Sequence, residues 1–183
     1  MKVVAIIQAR MNSMRLPNKV MMEINNIPII ELLIDRLAKS NSINQIVLAT
    51  SENDSNIPLT NHVKNLGYEV FSGSEDNVLE RYCNAAKFFE ADTVVRITGD
   101  CPLVDSDIVD ELIKGFINSN ADYASNREPP TYPDGLDVEV MSVETLIDAN
   151  KKVVMDSHKE HVTPYIIENE TYQKFYMQHS KDL

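Results

Sequence analysis

The chain has 183 residues, 43% of them hydrophobic and 25% charged, the make-up of one soluble globular domain with a substantial core. Its 17 Lys and Arg against 28 Asp and Glu leave a net charge of −11. It therefore repels nucleic acid and anionic membranes at long range, and any anionic ligand needs a local basic cluster. Two cysteines, Cys83 and Cys101, lack metal-type spacing and make a disulfide framework unexpected, so a reducing, cytoplasmic setting is expected.

In chain order, Val3–Ile7 is a continuous apolar run, as in a strand buried on both faces. It is too short for a signal peptide or a membrane span and is followed by Gln8 and Arg10. A polar loop comes next. Residues 29–37 then have apolar side chains at helical spacing, with Pro28 suited to a first helical turn. Residues 46–49 predict a second buried strand, 56–66 a helix ended by Gly67, and 68–71 a short third strand. The best helix is 76–90, with Val78, Leu79, Tyr82, Cys83 and Ala86 on one face and Asp76 at its start. A fourth strand is expected over 93–97 and a helix over 105–116, where Asp105 and Asp107 stabilise the start. Strands at 122–125 and 136–141 and helices at 143–153 and 161–168 complete the reading. The proline-rich stretch 127–135 reads as a surface loop or lid.

Strands alternating with helices predict a three-layer α/β fold, a mostly parallel twisted sheet with helices on both faces. Ligands sit at the carboxyl ends of such strands. That rule points to 8–19, 50–54, 72–77 and 99–105. The loop Gln8–Lys19 places Arg10, Arg15 and Lys19 directly after a buried strand, with Ser13 adding a hydroxyl. Arg forks and Lys point charges are what a polyphosphate needs, and loop N–H groups such as those of Gln8 and Ala9 can add to them. Neither G-x-G-x-x-G nor G-x-x-x-x-G-K-[ST] occurs, so a dinucleotide Rossmann site and a P-loop are unsupported.

The stretch Ile6-Ile7-Gln8-Ala9-Arg10-Met11, followed by Arg15-Leu16-Pro17 and Lys19, resembles the opening motif of cytidylyltransferases of the spore-coat polysaccharide type. These are relatives of the enzymes that make CMP-activated acidic sugars. The resemblance continues through residues 73–82, 95–103, 132–140 and 160–166, nearly the whole chain. It implies a nucleotide-diphospho-sugar transferase fold, CTP as donor, Mg²⁺ as metal and an activated sugar as product. Carried over by position, Arg10, Arg15 and Lys19 hold the triphosphate and Asp100 is a metal ligand. Arg10, Lys19 and Asp100 are then the catalytic candidates. Three loop positions depart from the pattern: Asn12 and Asn18, where members often have glycine, and Met14, where a small residue is common. The resemblance also implies a later aspartate-bearing segment that has no counterpart before Leu183. The expectation is a single domain over 1–183 lacking that segment, and the competence of the short chain stays open.

Transfer to a sugar hydroxyl requires neutralised phosphates and a stabilised pyrophosphate leaving group. Mg²⁺ prefers one or two carboxylates with phosphate oxygens and water. Asp100, after a buried strand and Gly99, suits a first ligand, although Asp before Cys-Pro is also good turn chemistry. Asp137 and Glu139 would share one face of a strand and could meet metal, a sugar hydroxyl or an amine, or form an exposed edge. Asp137 is the second metal candidate. Ser72, Gly73, Ser74, Arg81 and Thr98 are candidates for the nucleotide. Arg81 reads equally as a helix-surface salt bridge, and Arg96 as the partner of a carboxylate, with a phosphate or sugar contact left open. His158, Glu160 and His161 make a weak metal pattern; a partly buried structural histidine is the plainer reading, and His161 is kept as a sugar candidate. Cys101 reads as a small buried residue.

The expected function is thus cytidylyl transfer from CTP to an acidic or modified sugar of a surface polysaccharide or glycoconjugate, with CTP and sugar as partners and a homodimer left open. Three rivals stand beside it: a nucleotidyltransferase using another triphosphate, a non-catalytic nucleotide-binding domain, and an enzyme consuming a nucleotide-sugar on a similar fold.

Overall fold

The first strand is apolar at every inward position because it is covered twice. In the computed structural model, which describes residues 1–13 and 16–180, Val3, Ala5 and Ile7 pack into one core layer and Val4 and Ile6 into another. Among the described residues the elements are β1 (Val3–Gln8), the hairpin β2 (Glu23–Ile24) and β3 (Ile27–Pro28), α1 (Ile29–Leu37), β4 (Gln45–Ser51), α2 (Ile57–Asn65), β5 (Glu69–Gly73), α3 (Val78–Phe88), β6 (Thr93–Thr98), α4 (Ser106–Ser119), β7 (Tyr123–Ser125), β8 (Glu139–Ser142), α5 (Val143–Lys152), α6 (Asp156–His161), α7 (Pro164–Glu168) and β9 (Lys174–Tyr176).

Seven strands form one sheet in the order β5-β4-β1-β6-β8-β7-β9. The pairs β1–β4, β1–β6, β4–β5 and β7–β9 are parallel. Strand β8 alone runs against its neighbours β6 and β7. Apolar faces of α1, α2 and α4 cover one side of the sheet, and α3, α5 and α7 cover the other. The chain leaves β1 towards β4 and β5 and returns across it to β6. A crevice opens at that reversal, outside the carboxyl ends of the strands.

Most expected elements are present, with some differences. The helix expected over 161–168 begins only at Pro164 as α7, after a break at Val162, and a separate short helix, α6, precedes it at Asp156–His161. Strand β8 begins at Glu139, not at 136. Residues 136–138 are instead held by one side chain: Asn126 Nδ2 donates to Leu136 O, and its Oδ1 accepts from Val138 N–H, both at 2.8 Å. Asp137 and Glu139 therefore do not share a strand face. The hairpin β2–β3 and strand β9 were not expected, and Pro28 ends the hairpin just before α1 rather than opening the helix. Helix α3 is capped by Asn77, whose side chain accepts from Glu80 N–H, rather than by Asp76. Asp105 caps α4 as expected, accepting from the N–H groups of Asp107 and Ile108. Both cysteines are free. Among the described residues no helix is long and apolar enough to cross a membrane.

Candidate active site

The crevice is a cleft of about 850 Å³ at the carboxyl ends of β1 and β6. Gln8 and Thr98 lie side by side in register. Gly99 N–H extends the pairing one residue further by donating to Gln8 O at 2.8 Å. A side chain at 99 has no room, since its Cβ would lie 2.6 Å from Ala9 Cβ and 3.0 Å from Gln8 O. This close approach sets Asp100 beside the loop that follows β1. Gly99→Ala is expected to cost about 1–3 kcal/mol, which lowers the melting temperature by roughly 2–12 °C. Thermal unfolding checks it; an unshifted melting temperature would mean the two segments separate freely.

The loop pivots on Met11, whose carbonyl accepts from Ser13 N–H at 3.0 Å and Asn18 N–H at 2.8 Å. Asn18 sits in the left-handed region with φ 59°. That conformation favours glycine, and asparagine is among the few other residues that tolerate it. The turn brings Lys19 back to Asp100, Nζ to Oδ2 at 2.5 Å, while Arg10 reaches Glu75 at 3.4 Å. Burial pushes the Asp100 carboxyl up, but hydrogen bonds and charge from Lys19, with a bond from Thr98, outweigh it and hold the group below the usual carboxylate range. Arg15 lies outside the described residues.

Two further arginines line the cleft. Arg81 projects from α3, is 2% exposed, and donates from Nη1 to Ser74 O at 2.5 Å. It is therefore not a helix-surface salt bridge, and burial lowers its pKa. Arg96 pairs with a carboxylate, Glu139, which is 2% exposed and also accepts from Tyr123 OH at 2.6 Å. Burial opposes the charge on both partners, yet Glu139 raises Arg96 and Arg96 lowers Glu139, so the pair stays ionised. Arg96 Nη2 also reaches Gln8 Oε1 at 3.4 Å.

The structure brings Gln8, Ala9, Arg10, Ser13, Lys19, Arg81, Thr98, Asp100 and His161 together around this cleft. It does not bring Ser72 there; Ser72 lines a separate depression of about 290 Å³ beside Asn53 and Asn56. Gly73 packs against Phe71 and Arg81, and the Ser74 carbonyl holds Arg81. Glu139 is saturated by its buried partners, and half-buried Asp137 pairs with Arg127 at 3.4 Å outside the cleft lining. Burial, with Asp134 and Glu139 nearby, raises the Asp137 carboxyl. Cys101 is half-buried rather than buried, with its Sγ 3.1 Å from Thr98 Oγ1.

Glu75, Asp76, Asp156, Glu160 and Arg96 also line the cleft. Glu75 and Asp76 fall in the 72–77 segment to which the carboxyl-end rule points, Glu160 belongs to the weak histidine pattern, and only Asp156 lay outside the expected segments and motifs. Asp156 had no cue, because α6 reaches the cleft by packing on α3, a helix remote from it in sequence. Helix α6 ends at Val162, a β-branched residue at φ 72°, an uncommon and strained conformation. It persists because Val162 is fully buried and Thr163 beside it hydrogen-bonds Glu139. His158 is the buried histidine, 3.5 Å from Glu168, and His161 is exposed in the cleft.

Among the described residues no three His, Cys, Asp or Glu side chains converge on a point where a metal would be caged. Asp100 nevertheless fits Mg²⁺ chemistry: an ionised, 43% exposed carboxylate in a cation-lined cleft is one ligand of a shell that phosphate oxygens and water complete.

Comparison with known proteins bears on the family and the fold. A family model described as cytidylyltransferase matches residues 4–181. The spore coat polysaccharide biosynthesis protein SpsF of Bacillus subtilis is 33% identical over 166 residues, 88% of this chain and 68% of its own. A solved cytidylyltransferase from Leptospira borgpetersenii superposes with a TM-score of 0.95 at 32% identity, covering 100% of this chain and 78% of that one. A CMP:2-keto-3-deoxy-manno-octonic acid synthetase complexed with CTP shares the fold, with a TM-score of 0.77 at 16% identity over 98% of this chain and 91% of its own. The chain belongs to the cytidylyltransferase family and is a nucleotidyltransferase of mostly parallel, Rossmann-like α/β fold.

Proposed function

We propose that this chain transfers CMP from CTP to a hydroxyl of an acidic or modified sugar used in surface polysaccharide or glycoconjugate synthesis, in the cytoplasm. The observation that carries the reading is the cleft where Arg10, Lys19 and Arg81 meet Asp100 at the ends of β1 and β6. In the reaction the sugar oxygen bonds to the α-phosphorus, the bond to the β-phosphate oxygen breaks, and the hydroxyl proton is lost. Arg10, Arg15 and Lys19 neutralise the triphosphate and the pyrophosphate that leaves. Asp100 would hold Mg²⁺, which supplies charge neutralisation on the phosphate oxygens when bound. Ser13, the Gln8–Ala9 backbone and Thr98 would add hydrogen bonds, and Arg81 and the Ser72–Ser74 segment would border the nucleoside. His161 would meet the sugar. The relatives support this reading, since one is named for spore coat polysaccharide and one for an acidic-sugar synthetase with CTP.

The test is a thermal-shift series with Mg²⁺ and each of CTP, UTP, GTP and ATP. A ligand at about 100 times its Kd adds ~2.7 kcal/mol, roughly 5–11 °C for a chain of this size. CTP is expected to give the largest shift. Equal shifts with all four would leave triphosphate binding without the cytidine preference. Pyrophosphate release with candidate sugars then identifies the acceptor.

A further inference from the structure

We infer that Asn56, which does not line the nucleotide cleft, is the residue that positions the phosphate loop. It is the last residue of a one-turn helix, Asp54–Asn56, just before α2, is 3% exposed, and lies 45 residues from the loop residue it holds. Its Oδ1 accepts from Met11 N–H at 2.8 Å. Its Nδ2 donates to Ser51 O at 3.1 Å and Ser51 Oγ at 2.8 Å. The amide orientation follows from chemistry: the Met11 N–H requires an acceptor and the Ser51 carbonyl requires a donor. A neutral amide of this length satisfies both at neutral pH, where a carboxylate would offer no donor, so one side chain ties the segment after β1 to the end of β4.

Met11 is the pivot of that segment. Its N–H is taken by Asn56, and its carbonyl is taken by Ser13 and Asn18. Arg10 precedes it directly, and the turn it anchors delivers Ser13 and Lys19 to the cleft. Without Asn56 the Met11 N–H is left buried and unpaired, a cost relieved only if the loop shifts towards water. The cations would then lose their fixed spacing. Asn56 thus acts through the loop as a positioning residue rather than by touching the ligand.

The inference rests on reading 8–19 as the phosphate loop. Its test measures binding of CTP, CMP and inorganic tripolyphosphate with Mg²⁺, well below the melting temperature, on wild type, Asn56→Ala and Asn56→Asp. Asn56→Ala should weaken CTP and tripolyphosphate about tenfold, or about 1.4 kcal/mol, and CMP less than about twofold. Asn56→Asp should bind as poorly at neutral pH, where a carboxylate faces the Ser51 carbonyl. It should recover as pH falls, because the protonated acid reproduces the donor and acceptor of the amide. A merely structural residue lowers the melting temperature and shows neither the split between triphosphate and monophosphate nor the pH recovery. Unchanged CTP and tripolyphosphate binding in folded Asn56→Ala overturns the inference alone. Absence of triphosphate binding in wild type overturns the phosphate-loop reading and the inference with it.

Discussion

Replacing Asp100 by asparagine is expected to lower CTP turnover by about 100- to 1,000-fold, the scale on which a preorganised electrostatic partner acts. The carboxylate has two connections: it faces the cleft where a hard cation would sit, and it holds Lys19 Nζ at 2.5 Å. Asparagine keeps the shape and removes the charge. The Mg²⁺ dependence of CTP binding should therefore fade. Metal-free CTP binding should hold or strengthen, because Lys19 is released from its carboxylate. The ion pair is partly exposed, so solvent screens it and the fold should melt close to wild type. Calorimetry with and without Mg²⁺ separates these effects. An unfolded variant would make Asp100 a structural turn residue, and an intact Mg²⁺ response would place the ligand on another carboxylate of the cleft, among Glu75, Asp76, Asp156 and Glu160. The pH dependence has a definite sign. The folded pKa of Asp100 is depressed, so its stabilising contribution is present above the unfolded carboxylate value and is lost as pH falls through the folded one. Loss of activity above the ordinary carboxylate range of about pH 4 must then arise from another group.

The largest effect on stability is expected from Arg96→Met. It strands the Glu139 carboxylate at 2% exposure beside Tyr123 and Thr163. Removing one partner of a buried ion pair costs about 3–5 kcal/mol, roughly 6–20 °C in a chain of this size. The double substitution Arg96→Met with Glu139→Leu should recover most of that loss, since an apolar pair carries no stranded charge. The response to pH should invert as well. In the native protein Arg96 holds Glu139 below its usual range, so this stabilisation is lost on acidification. In Arg96→Met the largest influence opposing burial is gone, leaving only the hydrogen bonds from Tyr123 and Thr163 and the charge of Arg127, so the carboxyl rises. The variant should then gain stability relative to wild type as pH falls and Glu139 takes a proton. Urea unfolding across pH tests this, and a single variant as stable as wild type would mean that water reaches the pair.

Local pattern determined the parts of this protein that depend on neighbours in sequence. The continuous apolar run Val3–Ile7, the apolar spacing of α1 and α3, and the occurrence of Arg10, Arg15 and Lys19 close together in sequence after a strand are all local, so the element order and the basic loop were legible. Motif resemblance carried the family for the same reason, since its residues lie in short ordered runs. Tertiary structure alone decided what joins distant segments. It inserted β8 antiparallel between β6 and β7, set Arg96 on Glu139 across 43 residues, and set Asn56 on Met11 across 45. It also withdrew Glu139 from the cleft and brought Asp156 and Glu160 into it. No periodicity encodes such pairs: a polar side chain reads the same in sequence whether it faces solvent, a ligand or a buried partner, and only the packed sheet and its covering helices choose among them.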